Sequence, residues 1–271
     1  MGRPTDEGGA AFPRAPSQDA WDRMSPEERA RVVESLPAEV TYAEMAPPEG
    51  DRHQWAKLRA LDVLRGYFGH QRRTAYVGSE LPVYYPDERR FAPDLLVVFD
   101  VGAHPREKWL VSHEGRGLDW VMEVHVGGDR KKDAEFNVRR YARLGIPEYF
   151  IYDRSRERLE AYTLESPGAG VYVRMEPTQG RYVSRVLGLE LELVGDRLRF
   201  WAGNALLMES DELIVRMRER ITWLEQRADE EAHLREDEVR RREEESRRRE
   251  DAERRVAELQ AELERVRASQ K

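Results

Sequence analysis

The sequence predicts an α/β domain with a mixed β-sheet flanked by helices, followed by a long charged C-terminal helix. Three observations predict it. Asp94 to Phe99 and Trp120 to Val124 are apolar on both faces, as strands covered by helices are. Helical and strand patterns run in the order helix, strands, helix, strands, which suits a mixed sheet and not a doubly wound parallel one. From Ser210 onward no Gly or Pro interrupts the chain.

The elements follow from local signals. Residues 1–20 are rich in Gly, Pro and Ala and read as disordered. Ser25-Pro26-Glu27-Glu28 opens a helix, with Ser25 as N-cap and Glu28 reaching back as a capping box. Asp51 opens a second helix, on which Trp55, Leu58, Leu61, Leu64 and Phe68 recur at helical spacing before Gly69 ends it. Strands are expected at Thr74 to Gly78, Leu81 to Tyr85, Asp94 to Phe99 and Leu118 to Val126. After Gly127-Gly128-Asp129, Arg130 to Leu144 reads as helix, and Glu148 to Tyr152 as a strand. Further strands are expected at Leu159 to Leu164, Val171 to Met175, Tyr182 to Val186, Leu189 to Val194 and Leu198 to Trp201. Gly195-Asp196 is placed as a hairpin turn.

The last helix carries a broken seam. Ile221, Leu224 and Ala228 fit a and d positions, as do Ala252, Val256, Leu259, Leu263 and Val266. Arg235 to Asp251 between them is almost wholly charged. A coiled coil with firm ends is one reading; a solvated helix held by i,i+4 pairs is the other. The expected organisation is therefore a disordered segment at 1–20, a globular domain at 21–208, and a charged helix or coiled coil at 209–271.

Composition narrows the function classes. The chain has 271 residues, with 46 Lys and Arg against 53 Asp and Glu, a net charge of −7. That balance argues against a protein coated in nucleic acid and against a polybasic membrane binder. The absence of cysteine excludes disulfides, thiolate zinc sites, iron–sulfur clusters and a cysteine nucleophile, and suits a cytoplasmic setting. Apolar runs such as Leu95 to Phe99 are far too short to span a membrane. There is no P-loop, no G-x-G-x-x-G, no nucleophile elbow, no zincin motif and no dedicated DNA-reading motif.

Two carboxylates stand in apolar surroundings. Asp94 follows Pro93 and opens the strand Leu-Leu-Val-Val-Phe; Glu123 lies inside Trp-Val-Met-Glu-Val. A carboxylate in a buried strand is costly unless it is paired or binds a cation. Two at the ends of neighbouring strands make a hard oxygen site for Mg²⁺ or Mn²⁺, the arrangement that phosphodiester hydrolysis needs. The plainer reading is a strand cap for Asp94 and an arginine partner for Glu123. The agreement of the two contexts favours a site.

Pro93-Asp94, then Glu123-Val124, then a helix with Asp133, Asn137 and Tyr141 at four-residue steps, then Gly145-Ile146-Pro147-Glu148-Tyr149, resembles the restriction-endonuclease family usually called Uma-two, of the PD-(D/E)XK nuclease superfamily. The resemblance covers roughly residues 35–200. It implies a restriction-endonuclease-like fold with the acidic residues at the active edge of the sheet, and a metal-dependent DNA endonuclease. It departs at the lysine. The E-x-K position holds His125, and the helix position to which the family's lysine usually migrates holds Asn137. Asparagine can hydrogen-bond the attacking water but brings no charge.

Several groups could compensate. Arg130 lies seven residues before Asn137, and Lys131 and Lys132 stand at the helix start. His125 shares a strand face with Glu123; it can hydrogen-bond or bind metal, or be a strand histidine satisfied by a neighbour. Glu80 is a third acidic candidate for the metal, beside the plainer reading of an edge-strand charge. His53 could face the site, or merely start its helix. Tyr141 is expected to pack its helix on the sheet. Lys131, Lys132, Arg140, Arg89 and Arg90 are candidates for a basic rim that holds DNA phosphates.

The reading is thus a metal-dependent DNA endonuclease with Asp94, Glu123, Asn137 and Arg130 as catalytic candidates and Asp94, Glu123 and Glu80 as metal ligands. The alternative is a catalytically weakened nuclease-fold module that binds DNA or a protein partner. Its tail would pair as a homodimer or with an unknown coiled-coil partner.

Overall fold

The computed structural model describes residues 13–39, 50–127 and 132–269. In chain order they form α1 (Gln18–Arg23), α2 (Pro26–Ser35), α3 (Gly50–Gly69), β1 (Ala75–Gly78), β2 (Val83–Tyr84), β3 (Leu95–Phe99), β4 (Trp109–Leu110), α4 (Val111–Glu114) and β5 (Trp120–His125). A π-helical segment, Lys132–Asn137, then leads into α5 (Val138–Arg143) and β6 (Glu148–Asp153). There follow β7 (Arg158–Leu164), β8 (Tyr172–Arg174), β9 (Arg181–Ser184), β10 (Leu189–Val194), β11 (Arg197–Ala202), β12 (Ala205–Leu206) and α6 (Ser210–Ser269). The mixed α/β class read from the sequence holds.

The capping box forms: the Glu28 amide donates to Ser25 Oγ at 3.2 Å and the Ser25 amide to Glu28 Oε2 at 2.8 Å. The segment expected to be disordered up to residue 20 is ordered from Pro13 on. Arg14 and Ala15 bridge to Arg89 and Pro86, and Ser17 caps α1, whose Trp21 is buried against Leu36, Tyr84 and Leu110. One tryptophan finding a tertiary pocket outweighs a Gly- and Pro-rich composition. The expected extended piece at Glu39 to Tyr42 lies outside the described residues from position 40.

The main sheet has the order β1-β3-β5-β6-β7-β8. β5 and β6 are parallel and every other pair is antiparallel. Alternation along the strands sends Leu95, Val97, Phe99, Trp120, Met122 and Val124 to a core shared with α3, β10 and β11. Leu96, Val98, Val121 and Ile151 face the opposite core, where Tyr141 packs. Both faces are covered, which is why β3, β5 and β6 are buried throughout. A second, antiparallel sheet runs β12-β11-β10-β9, and its β10–β11 hairpin turns on Gly195-Asp196, with Gly195 at φ 59°. β2 and β4 form a small parallel pair; β4, α4 and β12 carried no strong sequence signal.

The chain divides into two units at Ser210/Asp211. The second is α6 from Asp211 on, whose described side chains are exposed except for the partly buried Glu212. Among the described residues no helix is long and apolar enough to cross a membrane.

Candidate active site

Register brings the two carboxylates together. In the antiparallel β3–β5 pair Leu95 faces Met122, so one further step sets Asp94 opposite Glu123. The Asp94 amide donates to Glu123 Oε2 at 3.3 Å, and the Val124 amide donates to Asp94 Oδ2 at 2.7 Å. The Asp94 amide thereby holds Glu123, and the amide of Val124, the residue after Glu123, holds Asp94.

Helical residues complete the setting. Asn137 closes the π-helical segment, and its Nδ2 donates to Glu123 Oε1 at 3.3 Å. Tyr141, one turn later, donates its hydroxyl to the same oxygen at 2.7 Å. Asn137 and Tyr141 are both 1% exposed, so these donors face Glu123 in a dry setting. Such partners fix a ligand carboxylate in one rotamer before any cation arrives. A π turn inside a longer helix often marks a functional segment, and this one delivers Asn137 to the carboxylate.

On the far side of Asp94 stands α3. His53 Nε2 lies 3.2 Å from Asp94 Oδ2. Lys57, one turn along the same helix face, is buried and its ammonium pairs with the carboxylate of Glu80. Glu80 is tied to the Asp94 loop: its amide donates to the Pro93 carbonyl at 3.0 Å, and the neighbouring Ser79 hydroxyl donates to the Asp94 carbonyl at 2.8 Å. Sequence reasoning passed over Lys57; the spacing of four from His53 was the signal available.

Other candidates fall elsewhere. Glu80 is half-exposed and engaged by Lys57, and among the described residues no three of His, Asp or Glu are grouped to hold a metal ion. Arg90 and Arg140 are corrections to the expected phosphate-holding rim. Arg90 is buried, and its guanidinium donates to the Pro37 carbonyl and the Tyr84 hydroxyl. Arg140 is buried over the Phe91 ring, bonded to Glu88 at 3.2 Å and to the Arg89 carbonyl. Burial holds its pKa below the usual arginine value. Both cations organise the β2–α5 region instead of facing solvent. Arg89 is half-buried beside them. His125 is buried on the face of Glu123. Arg130 and Lys131 lie outside the described residues, as does the side chain of Lys132.

The donor set suits a hard cation. Mg²⁺ is commonly held by one or two carboxylates, with waters and substrate phosphate completing its shell. Asp94 and Glu123 supply those two, oriented by the Val124 amide, the Asn137 amide group and the Tyr141 hydroxyl.

With this geometry in place the likeness to known proteins can be weighed. A family model described as "Putative restriction endonuclease" matches residues 36–197. The chain belongs to the Uma2 family. Among solved structures, the "putative nuclease belonging to DUF820" from Anabaena variabilis ATCC 29413 is similar at 15% identity, covering 56% of this chain and 83% of that one, with a TM-score of 0.42. No curated protein matches.

In this Uma2 chain the Gly-Ile-Pro-Glu-Tyr stretch, so informative for the family, does structural work. Gly145 takes φ 75° to end α5, and Ile146 is fully buried. The Glu148 carboxylate accepts from the Ser184 hydroxyl and from the Arg185 and Val186 amides at 2.9 and 3.3 Å, clamping the end of β9 to β6.

Proposed function

We propose that this Uma2 chain is a metal-dependent DNA endonuclease that hydrolyses phosphodiester bonds. The observation that carries the reading is the pair Asp94 and Glu123, opposed across neighbouring strands and held in place by Val124, Asn137 and Tyr141. The two carboxylates are the residues that would hold Mg²⁺ or Mn²⁺. When bound, such a cation polarises a phosphoryl oxygen and eases deprotonation of water. Asn137 and Tyr141 keep Glu123 aligned by donating to one of its carboxylate oxygens. Lys57 replaces the charge missing at His125 and Asn137: it stands one helical turn after His53, which meets Asp94, and its buried stem carries the ammonium to Glu80 on the α3 side of the site. Lys131 and Lys132 hold backbone phosphates.

The rival is a nuclease-fold module without useful catalysis. It is favoured by the missing E-x-K lysine and by the absence of a three-ligand group among the described residues. A plasmid-nicking assay decides. We expect nicking with Mg²⁺ or Mn²⁺ that Asp94→Ala abolishes, and calorimetric cation binding that Glu123→Gln weakens strongly. Nicking equal in wild type and Asp94→Ala would sink the enzyme reading.

A further inference from the structure

The charged middle of α6 hides a continuous register. With Ile221 at a and Leu224 at d, counting by sevens places Ala228, Arg235, Arg242, Arg249, Val256 and Leu263 at a. The d positions are then Met217, Leu224, Glu231, Glu238, Glu245, Ala252, Leu259 and Val266. One heptad phase thus joins both apolar ends. Between them every a is arginine and every d is glutamate. The helix is unbroken over this stretch, and Met217, Ile221, Leu224, Val256, Leu259 and Leu263 are all exposed.

Charge complementarity says what covers this stripe. In a parallel in-register pair identical positions meet, so the layers from Glu231 to Arg249 would set Glu against Glu and Arg against Arg. In an antiparallel pair, a meets d. Centred on Arg240, Met217 then meets Leu263, Ile221 meets Leu259, Leu224 meets Val256 and Ala228 meets Ala252. Arg235 meets Glu245, Arg242 meets Glu238 and Arg249 meets Glu231. Each apolar side chain named finds an apolar one, and each seam arginine a glutamate. A slide of one heptad loses this, setting Leu224 against Arg249 in one direction and Glu231 against Val256 in the other.

We propose that α6 is the docking surface for a second copy of this chain, paired antiparallel about Arg240. Within one helix Glu238 and Arg242 pair at 2.5 Å and Glu245 and Arg249 at 2.8 Å; each such pair meets oppositely charged groups of the second copy, building a network in place of isolated ion pairs. Val239, exposed beside the seam, meets its own counterpart near the two-fold axis. The rim pulls the other way, since Arg220 with Glu225 and Arg248 with Glu253 would pair between parallel helices. Those contacts stay in water, where ion pairs are weak, whereas the seam layers lose water, where like charges repel most. The two Ser210 residues then stand about 90 Å apart along the axis at 1.5 Å per residue.

The chain has no cysteine, so introduced ones report cleanly. The full-length protein is expected to sediment as a dimer. Full-length Ala228→Cys mixed with Ala252→Cys, under mild oxidation, is expected to form disulfide-linked dimers that neither variant forms alone. Met217→Cys with Leu263→Cys is an independent pair, should the alanine variants fail to sediment as wild type under reduction. Three results overturn the proposal: a monomer at every concentration, cross-linking of a single variant with itself, or a dimer in which neither pair cross-links.

Discussion

The acidic residues of the sheet unit and those of α6 have the same chemistry and opposite energetics. Glu123, Glu148 and Glu209 are buried, and each is met by several donors: Asp94, Asn137 and Tyr141 for the first, the Ser184 turn for the second, Arg59, Arg197 and Arg199 for the third. Glu231, Glu238 and Glu245 are exposed, and each pairs with an arginine four residues on, at 3.8, 2.5 and 2.8 Å. The first group must be answered by tertiary structure or the fold fails. The second is answered by the helix itself. Glu123 differs from Glu148 and Glu209 in one respect: it stands opposite a second carboxylate, Asp94, across neighbouring strands.

Substitutions that remove a buried answer should therefore matter most. Lys57→Met, the charge donor proposed for the site, is expected to lower the nicking rate by about 10²–10³-fold, the usual loss for one preorganised electrostatic group. Adding Asn137→Lys, which returns charge to the helix position, should recover much of it. Equal nicking by Lys57→Met and wild type would remove Lys57 from the mechanism.

Glu148→Ala should cost about 3 kcal/mol in urea unfolding, because it strands a hydroxyl and two amides at the end of β9. A loss no larger than that of a tail carboxylate would break the comparison. Its pH behaviour sharpens it. Burial raises the Glu148 carboxyl above its ordinary 4.5, against the pull of its donors. The folded state therefore binds this proton more tightly than the unfolded one. Its contribution is full below pH 4.5 and falls as pH rises through the raised value. The stability of wild type relative to Glu148→Gln should decline over that interval; a flat difference would contradict the burial argument.

Tyr141→Phe removes one donor to Glu123 and leaves Asn137. We expect a loss of about 1.5 kcal/mol in stability, within the range for a bond to a charged group, and weaker cation binding by calorimetry. Unchanged cation affinity would mean that the hydroxyl only packs. Glu238→Ala in the tail should be the mildest, at about 0.3 kcal/mol of helix stability by thermal unfolding followed at the helical signal.

Much of the architecture was legible in the sequence because it is written in local patterns. The double-sided apolar runs gave away β3 and β5, the capping box announced α2, and Gly195-Asp196 marked its hairpin. Asp94 and Glu123 stood out because a charge inside an apolar run needs a reason. The π turn, the burial of Arg90 and Arg140, the ordering of residues 13–20 and the approach of Lys57 were not legible. Each depends on contacts between segments far apart in the chain: Arg140 on Arg89, Arg90 on Pro37, Trp21 on Leu110, Lys57 on Glu80. An arginine in a sequence reads as solvent-facing, since solvation is its default. Only the fold can offer a ring face, a carboxylate and a carbonyl at once, and so turn a surface charge into part of the frame.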